Sequence, residues 1–478
     1  MAAERFFLEL EPPEATQASW PHVVIVGGGF AGLRATHRLI GQPVRVTLID
    51  KRNFNLFQPL LYQVATGLVG QADVATPLRQ MVGQAPNVQV LLGEVDEIDV
   101  KAKEIVFNDV RYAYDHLILA AGSGSSYFGR EEWRPLAPPM KIIEHANEIR
   151  RRVLMALEEA EQTPDPVRRR QLQQVAVIGA GPSGCELAGS LIDLMRHTIS
   201  REFKQLRSED CSVKLIDPGD RVLRAMHPSL SEAATNYLRR NNVDVVLGGR
   251  VEQISDSELL ISFKASGEQR RIEAGTICWT AGVRASHLGR VLAASSGCNV
   301  DRGGRVIVEP DFSIPGYPEI RVIGDLCSYS HTTDGKPLAG MAGPAVQMGA
   351  WVASDILSTI NSQASKPFRF FDFGSMAVIG PLYAVADLRG IRISGLIGWL
   401  LWGVAHLAFM PDMENRLSLL LKWLWQIGTR ERDSLLIIGN HNQHMGVEVG
   451  LEKREELSAA AANCSADPPT PPPAASAP

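Results

Sequence analysis

Glu186 stands two residues past the glycine run Gly179-Ala180-Gly181-Pro182-Ser183-Gly184, and a matching run, Gly27-Gly28-Gly29-Phe30-Ala31-Gly32, lies 152 positions earlier. Glycines at this spacing let the main chain approach a diphosphate at a helix N-terminus. Two such runs point to two dinucleotides exchanging hydride, a chemistry in which the cofactors react and the protein positions and tunes them. Within that frame Glu186 is a candidate to orient a nucleotide or relay a proton; the plainer alternative is an acid complementing the dipole of its own helix. Gln347 carries an amide able to hold a carbonyl oxygen. Asp50 lies 23 positions after Gly27, the distance at which a carboxylate grips a ribose hydroxyl; the alternative is a turn or cap residue. Asp217 lies 38 positions after Gly179, so Arg196 to Asp210 must be a helix extension or an insertion. An acid on that ribose favours NADH over NADPH, because a 2′-phosphate would be repelled.

The elements that must carry these residues are legible as short apolar runs. His22–Val26 and Val175–Ile178 each read as a buried strand before a glycine turn and a helix. Val44–Asp50 and Val213–Asp217 read as the second strands, each ending in its acid. Asp115–Ala121 runs into Gly122, and Ile277–Gly282 echoes it. Ile320–Leu326 is a strand ending in Gly324-Asp325, and a helix opens in Gly340–Gly349 with Pro344 in its first turn. Residues 141–173 form a charged helix and linker, in which Arg168-Arg169-Arg170 is a solvated face rather than a phosphate site.

At 478 residues the chain exceeds one core and fits two or three domains. With 45% apolar and 21% charged residues and a net charge of −5, its composition argues against nucleic acid. Six cysteines, at 185, 211, 278, 298, 327 and 464, are never closer than 20 positions, which argues against a zinc or iron–sulfur centre and a redox dithiol. Met1 to Trp20 carries four glutamates and no basic-then-apolar pattern, so no secretory signal is expected, and the chain reads as a reduced, cytosolic-facing protein. Ile393 to Met410 contains no Asp, Glu, Lys or Arg; after Pro411-Asp412, Leu417 to Ile427 is again apolar, with Trp423 and Trp425. Two short Trp-rich helices suit an interfacial anchor better than a buried helix pair or a membrane span. The Ala-, Pro- and Ser-rich tail from Leu457 is expected to be disordered.

Taken together, these residues resemble the type II NADH:quinone oxidoreductases, single-chain flavoproteins with two dinucleotide-binding domains. The likeness runs from about His22 to Gly439. Beyond the glycine runs it rests on Asn55–Gly67, Gly184–Gly189 with its glutamate, Gly324-Asp325, Ala345-Val346-Gln347-Met348-Gly349, Met376–Gly380 and the Trp-rich C-terminus. The resemblance implies an α/β fold: an FAD domain in 20–140 and 291–385, interrupted by an NADH domain in 172–290. A C-terminal membrane-association region at 386–450 and a disordered tail at 455–478 follow. It implies FAD held by Gly27, Gly29, Phe30, Ala31, Gly32, Asp50, Lys51, Gln58, Ala121, Gly122, Asp325 and Ala345, and NADH held by Gly179, Gly181, Gly184, Asp217 and Gly282. The helix near Pro344 would aim its dipole at the flavin, stabilising the negative charge that reduction brings. Glu186 and Gln347 take the catalytic roles, and no metal is expected. Electrons would pass from NADH through FAD to a membrane quinone without proton pumping. The implied protein is a homodimer on the cytoplasmic face of the cell membrane, touching the bilayer through 391–427. Two departures stand out: Gly343 occupies the place of a second glutamine often found in the family, and Asp217 that of a common Glu. The cysteine spacing weighs against a disulfide reductase, and the second glycine run against a sulfide:quinone reductase. A soluble NAD(P)H-dependent ferredoxin-type reductase and an NADH-sensing flavoprotein without quinone turnover are the remaining alternatives.

Overall fold

The computed structural model describes residues 19–332, 335–432 and 434–437; the tail from 455, Cys464 and residues 438–450 of the expected membrane region lie outside them. One plan is used twice. The first copy runs β1 (His22–Val26), α1 (Phe30–Leu39), β2 (Arg45–Asp50), a short α2 (Leu61–Ala65), β3 (Val88–Leu92) and β4 (His116–Leu119). After β5 (Ser123–Ser125) and the long α3 (Ile143–Gln162) comes the second copy: β6 (Gln174–Ile178), α4 (Pro182–Glu202), β7 (Ser212–Asp217), α5 (Pro228–Arg240), β8 (Val243–Leu247), β9 (Thr276–Trp279) and β10 (Val283–Ala285). The chain then returns to the first sheet with β11 (Ser313–Ile314), β12 (Tyr317–Val322) and α6 (Ala342–Ile360). An antiparallel sheet of β13 (Ser375–Gly380), β14 (Tyr383–Leu388) and β15 (Ile391–Gly395) leads into α7 (Leu396–Phe409) and α8 (Met413–Thr429).

The first sheet has the order β11-β12-β4-β1-β2-β3 and the second β8-β7-β6-β9. β1 pairs in parallel with both β2 and β4, as β6 does with β7 and β9. Strands buried on both faces need continuous apolar runs, and Val23, Val24, Ile25 and Val177 have no exposed surface. Where connections leave a central strand to opposite sides, a crevice opens at the carboxyl ends of the strands, the usual ligand position in such sheets. The two copies are tied by antiparallel pairing of β5 with β10, Ser123 opposite Ala285 and Ser125 opposite Val283.

The apolar stretch 393–410 is not one continuous helix. Its first residues pair with β14 as the edge strand β15, and Gly395 turns the chain at φ +84° before α7 begins. The 14 residues of α7 span about 21 Å at about 1.5 Å per residue, against about 30 Å for a bilayer's hydrocarbon core. Among the described residues no helix is long and apolar enough to cross a membrane.

Candidate functional site

Each glycine run folds into the same device. Gly27 and Gly179 adopt φ +106° and +107°, a left-handed turn that sends the chain from strand to helix. Gly32 and Gly184 then pass so close to that turn that a methyl group on either would lie 1.9 and 1.8 Å from the carbonyl oxygens of Gly27 and Gly179. Gly29 and Gly181 are the N-caps of α1 and α4, neither capped by a side chain, and nothing lies within 4 Å of where their side chains would begin. Open ground before uncapped main-chain N–H groups fits a diphosphate.

The acids brace these turns. Asp50 Oδ2 accepts from Gly28 N at 2.6 Å and its Oδ1 from Arg52 N at 2.7 Å. Asp217 repeats this with Ala180 N at 2.8 Å and Gly219 N at 2.7 Å. Both bonds are to the main chain, so each carboxylate holds its loop at the mouth of the cradle and meets a ribose only with its remaining lone pairs. Lys51 extends to Glu94 at 3.2 Å. Phe30 sets its ring edge-on to Phe57, 5.8 Å between centroids. Ala31 and Ala345 are buried between α1 and α6, where the Gly349 position lies 2.1 Å from the Ala31 carbonyl oxygen. Ala121 and Gly122 follow β4, and the Gly122 carbonyl accepts from Ser286 N at 3.0 Å. Gly282 packs against the Ser126 carbonyl and the Phe128 ring.

Between the copies lies a polar cluster that the sequence reading only half contained. Asp325 accepts from the Ser123 hydroxyl at 2.7 Å, and the Lys141 ammonium stands 3.7 Å from the same oxygen. Gln58 donates its amide to the Lys141 carbonyl at 3.3 Å. Ser123 and Lys141 belong to no glycine run; only the folding of three distant segments reveals them.

Glu186 faces a cavity of about 410 Å³ walled by α2, α4, the β13–β14 turn and the C-terminal helices. Burial pushes its carboxyl up to about 8, offset in part by the Val378 N–H. Tyr62 lines the same space, and its phenol is raised by burial and by the charge of Glu186. Gln63 donates to the Tyr62 hydroxyl at 3.0 Å and accepts from the Trp423 indole N–H at 2.9 Å, so α8 holds this wall in place. Lys422 to Asp73 at 2.6 Å and Arg432 to Asp193 fasten α8 and the chain beyond it to the same face.

Gln347 is on α6, but its amide is already engaged: Nε2 donates to the Phe371 carbonyl at 2.9 Å and Oε1 accepts from Phe371 N at 2.9 Å. In this conformation it pins the 366–374 segment, and its second N–H reaches the Gly343 carbonyl only at 3.4 Å. Phe371, Phe373 and Phe409 form an edge-on aromatic cluster beside it. The five cysteines among the described residues, Cys185, Cys211, Cys278, Cys298 and Cys327, are free and buried.

The apolar faces of the last two helices point outward. On α7, Ile397, Leu400 and Val404 are 52–68% exposed, while Trp402 is turned inward at 1%. On α8, Leu417, Leu421 and Leu424 are 57–60% exposed opposite the buried Leu419 and Trp423. A contiguous apolar surface of this kind marks an interaction site.

Comparison with known proteins places this geometry. The family model for pyridine nucleotide-disulphide oxidoreductases matches residues 21–349. The type II NADH:quinone oxidoreductase Ndh of Mycobacterium tuberculosis is 39% identical over 463 residues, covering 95% of this chain and 98% of its own. The type II NADH:quinone oxidoreductase of Staphylococcus haemolyticus is 26% identical, over 78% of this chain and 91% of its own. Among solved structures, NDH2 from Plasmodium falciparum in complex with NADH superposes with a TM-score of 0.80 at 18% identity, covering 87% of this chain and 99% of that one.

Proposed function

Because the chain belongs to the type II NADH:quinone oxidoreductases within the pyridine nucleotide-disulphide oxidoreductase family, we propose that its first glycine cradle holds FAD and its second receives NADH. The enzyme passes electrons from NADH through FAD to a quinone. FAD, when bound, supplies the redox chemistry, accepting hydride and releasing electrons to the quinone.

The observation that carries the assignment of sites is the doubled cradle, each copy braced by its own acid and open at Gly29 or Gly181. Around the first, Gly27 and Gly32 shape the turn, Asp50 fixes the loop, and Asp325 and Gln58 line the way to the second. The uncapped N-terminus of α6 faces this region and favours negative charge. Around the second, Asp217 biases the nucleotide toward NADH.

Glu186 is the proton-holding group of the cavity. With its carboxyl near 8 it is protonated at neutral pH, and so can give a proton to a reduced quinone and recover it from water. Gln347 serves by fixing Phe371 at the rim of the aromatic cluster. The outward faces of α7 and α8 lie on the bilayer surface at the cytoplasmic side. As the family resemblance implies, electron transfer occurs without proton pumping.

Rapid mixing tests the reading: NADH bleaches the bound flavin, NADPH does so at least tenfold more slowly, and a short-chain quinone restores the colour. Reduction without reoxidation by ubiquinone or menaquinone analogues would favour a nucleotide sensor and overturn it.

A further inference from the structure

The Gly324-Asp325 turn presses on the starts of two helices. The side-chain position of Gly324 is 3.3 Å from the Ala31 Cβ of α1 and 3.9 Å from the Ala345 Cβ of α6. The Asp325 carboxylate itself lies at the approach to α6, 3.1 Å from the side-chain position of Gly340, so a diphosphate at the neighbouring start of α1 would add negative charge close to a carboxylate, and like charges repel most strongly where water is thin. A compensating cation is required, and α1 offers none in its first turn. Lys141 stands at the right place. Its side chain is only 19% exposed, and its one ion pair among the described residues is with Asp325 at 3.7 Å. That is looser than the about 2.7–2.9 Å of a charge-assisted bond, so its three N–H donors are not used up. Burial lowers its basicity and Asp325 partly restores it, as for an ammonium still short of negative charge.

Lys141 is placed by the other copy of the fold. Its segment is held by Trp279 N, which donates to the Pro138 carbonyl at 3.0 Å, and by the start of α3 just beyond. The Gln58 amide fixes its carbonyl from the flavin side.

We propose that Lys141 is a cofactor-binding residue, the cation that offsets Asp325 and receives the diphosphate of FAD. The inference rests on FAD occupying the first cradle, and it makes the second copy of the fold a structural partner in flavin retention.

The test compares FAD binding, followed by flavin fluorescence in the full-length protein, for wild type, Lys141→Gln, Lys141→Arg, Asp325→Asn and the Gln/Asn double variant. Lys141→Gln should weaken FAD binding about tenfold or more, and Lys141→Arg should stay within about threefold of wild type. In the Asp325→Asn background the Lys141→Gln loss should shrink, because the repulsion is gone. Circular dichroism and NADH binding at the second cradle verify the fold. Should the Gln variant not fold, Lys141→Met takes its place and is read in the same way with and without Asp325→Asn. FAD affinity unchanged in Lys141→Gln, or equally poor in Gln and Arg variants, would overturn the proposal. A wild-type protein that binds no FAD would instead overturn the reading on which it rests.

Discussion

The two cradles share their geometry and differ in what covers them. Their turns agree within a degree in φ, and their third glycines approach the turn carbonyl at 1.9 and 1.8 Å. Their acids brace the corresponding main-chain N–H groups of Gly28 and Ala180. Two residues past the third glycine, however, the first copy has Arg34 and the second Glu186. Arg34 is exposed, and its ten-residue helix packs against α6 on another face. Glu186 lies just past the first turn of a helix of 21 residues that lies against β13, where the Gly189 position is 1.8 Å from the Ile379 carbonyl oxygen. The C-terminal helices then roof the site. The same local pattern thus makes an exposed cation in one copy and, in the other, a cavity-facing acid whose carboxyl burial pushes up to about 8. Covering elements, not the fingerprint, decide what the residue after it can do.

The strongest test of the shared geometry is a methyl group at the closest approach. Gly32→Ala should leave roughly a tenth or less of the flavin bound after purification, since the Gly27 carbonyl is main chain and cannot step aside. Gly184→Ala should keep FAD and raise the KM for NADH by about tenfold or more. If both variants lose FAD equally, the two cradles do not divide the nucleotides between them. Flavin content and stopped-flow titration with NADH read both outcomes.

The difference between the copies is tested at Glu186. A carboxyl that titrates near 8 holds its proton below that pH and loses it above, so quinone turnover should fall as pH rises through about 8. Glu186→Gln should retain FAD, lose this alkaline limb, and turn over about a hundredfold more slowly. An unchanged pH profile would reduce Glu186 to a partner of its helix dipole. The corresponding Arg34→Gln should leave turnover within about twofold.

The roof is tested at Trp423. Trp423→Phe removes the hydrogen bond to Gln63, at a cost of about 1–3 kcal/mol in stability, and loosens the Tyr62 wall. Water admitted to the cavity should move the alkaline limb downward, toward ordinary carboxylate values. A limb that stays near 8 while thermal stability falls would show that α8 supports the fold without setting the proton. The smallest effect on the flavin chemistry is expected from Leu417→Asp with Leu421→Asp, both on the outer face of α8. FAD content and reduction by NADH should be unchanged, while sedimentation with anionic vesicles should fall sharply, since each leucine contributes about 1.5–3 kcal/mol when buried in lipid. Vesicle binding that persists would place the contact elsewhere.

Much of this was open to inspection in the chain itself. The strand–glycine–helix units follow from apolar runs and from positions where only glycine fits. The wide gap before Asp217 is filled by the long α4 and a short 3-10 turn, and Asp217 still braces the same kind of turn as Asp50. Less accessible was the division of labour. Gln347 is a side chain suited to a carbonyl, yet its amide is taken by Phe371, 24 residues away. Ser123 and Lys141 carry no motif, and meet Asp325 only because β5, the linker before α3 and the end of β12 converge. The apolar stretch 393–410 gave no sign that its beginning would be drawn into a strand, since β15 depends on the register of β14.

Residue type and spacing alone determine that the protein has two nucleotide cradles, lacks a closely spaced cysteine pair and carries tryptophan-rich apolar segments between residues 393 and 427. Those properties live in contacts a few residues apart, where main-chain sterics leave little choice. Tertiary structure decides which acid is enclosed, which amide is already spent and which lysine faces which carboxylate. Those properties depend on burial and on distances between segments remote in the chain, and desolvation acts only once the segments have met.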